Sequence, residues 1–290
     1  MTCQFKYILF VAFLLVHQAV MSQWALNNKD QLIHQSDNSL VDDDWVDAIC
    51  LIDIDSASLI LKKFENLAVK DTSQVLLIQY FKARLLFLKG LYNESISVAT
   101  SSIRQWEYDS IHRLNNLYNL MSDVFMEKGY PDKAFEYSLR NSKKNEKAIM
   151  LKERSQSYIQ LGKGYIINEE YQKGLSFLDS AFQYFEQRQQ QAPYHLFISQ
   201  AKARIQQDEL QMAQDRINKA LFIARKNQWP IAQGQGLLLQ SELEILQGQF
   251  SKALENLQLA AQLFKQAHYK KGKADVNLQL SLYHFYNGLV

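Results

Sequence analysis

The residues best able to do chemistry in this 290-residue sequence stand apart from one another. Beyond the first apolar stretch the histidines are His34, His112, His195, His268 and His284, and none has the close helical partner that a zinc site requires. Cys50 lies in an apolar run, 46–54, and reads as a buried thiol rather than a nucleophile. Gly162-Lys163-Gly164 has the glycines and lysine of a phosphate-cradling loop but neither the preceding strand nor the spacing. Glu169 and Glu170 fall in a turn, where a solvated helix start accounts for them. Catalysis needs titratable groups that converge, and no such constellation is legible. The expectation is therefore no enzyme, no metal, no cofactor, and a protein that works by binding.

Composition says what carries these residues. Hydrophobic residues make up 47% and charged residues 21%, the balance of a folded chain. With 10 Gly and 3 Pro the chain lacks the turn residues of a β-sandwich or barrel, so helices are expected. A net charge of +2 gives no reason to expect a nucleic-acid backbone as partner, since binding one takes a concentrated cationic surface. Charge is unevenly placed: Asp42, Asp43, Asp44, Asp47, Asp53 and Asp55 gather early, and Lys265, Lys270, Lys271 and Lys273 late. Both groups read as solvated helix ends.

The N-terminus carries Lys6, an apolar run at 7–16 and then Val20-Met21-Ser22 before Gln23. A bilayer span takes about 20 residues, so this run reads as a secretory signal peptide over 1–22, the alternative being an uncleaved membrane anchor. The expected location is periplasmic or secreted. Cleavage leaves Cys50 as the only cysteine and no intrachain disulfide. Residues 23–40, rich in Asn, Gln, Ser and Asp, read as a flexible leader before a repeat domain over 41–290.

A short pattern recurs along that domain: an apolar helix, a turn with Gly or a polar residue, a large side chain, then a helix opening with a small residue. The small residues are Ser95, Ala134, Gly174, Ala213 and Ala253, separated by 39, 40, 39 and 40. Twelve residues before each stands another small or near-small one: Ala83, Ser122, Gly162, Ala201 and Ser241. Seven residues after come Ser102, Asn141, Ala181, Ala220 and Ala260. Two antiparallel helices nest closely only where small side chains face each other, so the spacing of twelve predicts a hairpin seam. The large turn residues, among them Tyr92, Tyr171, Leu210 and Phe250, plug the space beside the turn.

The third copy, with Tyr158, Leu161-Gly162, Tyr165, Tyr171, Gly174 and Ala181, resembles the tetratricopeptide repeat family. The resemblance implies an all-α, right-handed α-solenoid of antiparallel hairpins, here about six pairs plus an unpaired C-terminal helix. The period of 39–40 exceeds the family's usual 34, which implies helices about a turn longer. Pairs are expected near 71–89 with 92–106, 108–128 with 131–145, 147–167 with 170–188, 192–207 with 210–227, and 230–247 with 250–267. A degenerate first pair covers 42–51 and 55–68.

In such an array the first helix of each pair lines a concave wall. One step past the small position stand Arg84, Asp123, Lys163, Lys202 and Glu242, with Tyr80, Asn119, Ile159, Ile198 and Leu238 one turn earlier. From these, Tyr80, Arg84, Asn119, Asp123, Lys163, Lys202 and Glu242 are taken as the concave-groove binding residues, suited to a protein or peptide ligand. A last apolar helix is expected at 274–287, and the pattern stops before the helix that would cover it. That ending fits first the front part of a longer protein, next a helix that packs on the preceding pair and leaves some apolar area exposed, and last a face for docking. The function expected is an exported protein-interaction scaffold; the alternative is the extracytoplasmic sensor part of a bacterial signalling protein, a histidine kinase or helix-turn-helix regulator cut before its membrane helix.

Overall fold

The computed structural model describes residues 43–66, 72–106, 114–145 and 151–288. The expected signal segment, the leader and His112 lie outside them. Within the described residues the chain forms thirteen α-helices and no strand. They are α1 (Asp43–Ile52), α2 (Ile54–Glu65), α3 (Thr72–Leu88), α4 (Tyr92–Trp106), α5 (Leu114–Glu127), α6 (Pro131–Asn145) and α7 (Leu151–Ile167). There follow α8 (Tyr171–Gln187), α9 (Tyr194–Gln206), α10 (Leu210–Lys226), α11 (Pro230–Leu246), α12 (Phe250–Gln266) and α13 (Lys270–Asn287). The last begins four residues earlier than its apolar pattern, because Lys270 to Lys273 form a polar first turn on the same helix.

Each hairpin is closed by the same backbone device. Gly90, Gly129, Glu169, Asp208 and Gly248 all have positive φ, between 60° and 78°, and they recur at the repeat spacing. At the first turn the amide of Gly90 donates to the Phe87 carbonyl and that of Leu91 to Leu86, so the orphan carbonyls at the end of α3 are satisfied by a left-handed cap. The same bonds recur at the other four turns. A second series, Gln189, Gln228 and His268, ends the second helices of three pairs in the same conformation.

The seams follow the small residues. Ser95 Oγ donates to the Ala83 carbonyl at 2.8 Å across the first hairpin. In the third, a Cβ placed on Gly174 would lie 2.8 Å from the Gly162 carbonyl oxygen, so α7 and α8 approach with no room for any side chain. Ala201, Ala213 and Ala253 are fully buried, as is Ser241. Beside the seams, stacked rings fill the second and third hairpins: Phe125 on Tyr137 at 5.5 Å and Tyr165 on Phe177 at 5.4 Å.

Successive pairs stack, and the odd-numbered helices form the inner row: α1 touches α3, α3 touches α5, and so on to α11. The row then returns on itself, since α11 also touches α1. Where α1 passes into α2, the amide of Ile54 donates to the Ala267 carbonyl at 3.2 Å, and His268 Nδ1 lies 2.8 Å from Asp53 Oδ1. The hairpin array is therefore bent far enough for its first pair to meet the turn between α12 and α13.

Candidate functional site

The inner row of helices places four of the seven groove residues in two groups. In the first, Asp47 on α1 accepts from the Tyr80 hydroxyl at 2.7 Å and pairs with Arg84 Nε at 3.1 Å. Arg84 is mostly covered, its side chain 17% exposed, and Tyr80 is buried. Burial works against the guanidinium charge, but Asp47 together with Tyr80, Asp123 and Cys50 outweighs it and Arg84 stays charged. One repeat on, Lys163 Nζ bonds Asp123 Oδ1 at 2.7 Å, both side chains about one-fifth exposed.

Lys202 and Glu242 occupy the equivalent steps of α9 and α11. Burial raises the Glu242 carboxyl above the usual range, with the ammonium of the more exposed Lys202 opposing the shift. The row along the wall thus reads acid, base, acid, base, base, acid from Asp47 to Glu242.

The positions one turn earlier behave differently. Asn119 accepts from the Asn141 amide on α6, Ile159 is buried, and Leu238 packs on the cluster of Ile245, Ala253, Leu257 and Tyr283. Three residues before the small position is still the hairpin-facing side of the helix, so these side chains serve the seam. Tyr80, the largest of them, reaches across to Asp47 on α1.

Sequence reasoning missed Asp47, because α1 is short and breaks the repeat register. It also missed His195 and Tyr194 on α9. Tyr194 is buried and donates through its hydroxyl to Gln235 Oε1 at 3.0 Å. Burial pushes its phenol up, so it remains protonated. His195, whose ring lies 5.7 Å from that of Tyr194, is pushed down to about 3 by burial and then by the Lys163 and Arg84 charges. It is a neutral ring at any physiological pH. Cys50 is fully buried and its thiol is pushed up by burial, which leaves no thiolate.

A further charged bridge joins α13 to α5. Lys271 at the start of α13 bonds Glu127 at the end of α5 at 3.3 Å and Asp275 at 3.0 Å. Burial opposes its charge, yet the phenol of Tyr269 and the two carboxylates raise the ammonium on balance. Among the described residues no three of His, Cys, Asp and Glu gather where a metal would sit, and no helix is long and apolar enough to cross a membrane.

No protein-family model and no curated protein sequence matches the chain. Solved structures match its fold. The Rap conjugation gene regulator of the plasmid pLS20, solved in complex with the Phr* peptide, aligns over 93% of this chain and 77% of its own, with TM-score 0.62 and 14% identity. Aspartyl phosphate phosphatase F from Bacillus subtilis aligns over 92% and 76%, with TM-score 0.54 and 12% identity. BtubC (BKLC) from P. vanneervenii aligns over 72% and 89%, with TM-score 0.51 and 16% identity. At these identities the likeness speaks of fold, and the fold of this chain is a tetratricopeptide-type α-solenoid.

Proposed function

We propose that this protein is exported and takes an extended peptide segment of a partner into the passage enclosed by its inner helices. The observation that carries the reading is the arrangement of Asp47, Arg84, Asp123 and Lys163, four charges held in two pairs on facing inner helices. Charges that neutralise each other suit a ligand with backbone dipoles and both signs of charge better than a polyanion. The inner helices form a row that returns on itself, an arrangement that suits one extended chain better than a folded domain. Export rests on Lys6 and the apolar run that follows it. A similar fold in complex with a peptide shows that such a solenoid can hold one.

The test is capture of peptides from the envelope fraction by the chain lacking residues 1–22, compared with Lys163→Glu/Lys202→Glu. The charge-reversed variant should lose at least tenfold in capture while keeping its helical circular dichroism. Undiminished capture would move the ligand away from the inner wall. Release of an N-terminally trimmed chain from the expressing cell tests export separately.

A further inference from the structure

The repeats serve as controls for one another. One residue after the closing small position stand Ile96, Phe135, Leu175 and Leu254, but in α10 it is Gln214. Nine residues after it stand Arg104, Lys143, Gln183 and Gln262, but in α10 it is Phe222, 66% exposed. Twelve after it stand Glu107, Glu146 and Glu186, but Arg225 in α10 and Lys265 in α12. Polarity is reversed at two positions of α10 alone, and at the third the charge changes sign in both later copies.

The next hairpin changes in step. Where the second and third pairs have stacked rings, Phe125 on Tyr137 and Tyr165 on Phe177, the fifth has Glu244 and Asn256, joined by an Asn256 Nδ2 to Glu244 Oε2 bond of 2.8 Å. Gln214 and Gln240 exchange bonds of 2.6 and 3.0 Å, and Gln240 also donates to Glu244. Gln214, Gln240 and Asn256 border a groove of about 550 Å³ lined by α10, α11 and α12, with Leu221 and Leu237 among its lining. Glu244 is 6% exposed. Polar groups set into a helix–helix seam stabilise less than the rings they replace, so packing alone does not explain them.

We infer that this outer groove is a second binding site, for an extended peptide bearing a carboxylate. Carboxamides present a donor beside an acceptor, the complement of a peptide backbone. Phe222 offers an exposed ring for an apolar side chain, and Arg225 and Lys226 at the end of α10 supply cations for the carboxylate. Among the described residues neither cation is held in an ion pair. The site opens between α10 and α12, with Leu237 and Gln240 supplied by α11, and uses none of the charges of the inner wall.

The probe is a blocked pentapeptide, acetyl-Asp-Leu-Ser-Leu-Asp-amide, with its double-Lys counterpart, titrated into ¹⁵N-labelled protein. The side-chain amide resonances of Gln214, Asn218, Gln240 and Asn256 should shift saturably with the acidic peptide and not with the basic one. Phe222→Lys/Arg225→Glu should weaken the response at least tenfold; each new residue is the type that stands at the same sequence register in the second of the five clear copies, Lys143 and Glu146. Lys62→Glu, on the exposed side of α2, should leave the response unchanged. Silent amides, an equal response to the basic peptide, or shifts confined to the inner wall would each overturn the proposal.

Discussion

At the scale of single residues, the hairpin turns show where sequence choice and backbone demand disagree. Glu169 and Asp208 hold the left-handed conformation that glycine holds in the other three turns, and both are exposed. An L-residue there is strained by about 1–2 kcal/mol, part of which glycine returns as lost entropy. Glu169→Gly and Asp208→Gly should each stabilise the protein by about 1 kcal/mol in urea unfolding, with the m-value unchanged. Gly174→Ala should do the opposite. Its new methyl would sit 2.8 Å from the Gly162 carbonyl oxygen and 2.7 Å from Ile166 Cγ1, and prising α7 from α8 should cost about 1–3 kcal/mol by the same measurement. The seam positions were legible in the sequence because they rest on residue size alone. The roles of Asp47 and His195 were not, since each is defined by a neighbour one or more repeats away and carries no local signature.

At the scale of helices, the junction between the first pair and the α12–α13 turn is held by a contact that depends on protonation. His268 faces Asp53 and, at 3.8 Å, Asp55, with Lys273 nearby on α13. The bond to Asp53 raises the imidazole above its ordinary value. Asp53 is lowered: burial pushes it up, but bonds from Ser56 and His268 outweigh that. A raised histidine contributes fully below its unfolded value of about 6.5 and loses that contribution as pH rises through the folded value. A lowered aspartate contributes above its unfolded value of about 3.9 and loses it as pH falls. The junction should be tightest between about pH 4 and 6.5. Hydrogen exchange should show α1 and α2 better protected at pH 5.5 than at pH 8, and His268→Ala should remove the difference. The helices themselves follow the sequence closely, because a seam of small residues and a left-handed cap fix both ends of each hairpin. The meeting of His268 with Asp53 could not be foreseen, being set by the bend accumulated over five pairs.

At the scale of the molecule, a linear repeat pattern has folded into an array that closes on itself, and closure decides what the inner wall can do. A repeat sequence specifies each hairpin and its neighbour, while curvature is the sum of small rotations that no single position encodes. That is why the wall residues could be named from their spacing, but the passage could not. Lys271 is the side chain through which α13 reaches α5, and it is mostly covered while Glu127 is about one-third exposed. Lys271→Glu would set three carboxylates together and break the bridge, at a cost of about 2 kcal/mol for a pair between surface and core. The array should then relax outward. Small-angle scattering should record a larger radius of gyration for Lys271→Glu, and Glu127→Lys in the same chain should restore the compact value. If the passage is the peptide site, the open variant should bind faster and release faster than the parent, because the bridge that Lys271 makes between α13 and α5 is then gone. Equal radii for the two variants and the parent would mean that the bend is fixed by helix packing alone, and that the bridge between α13 and α5 merely decorates a closure the inner helices have already made.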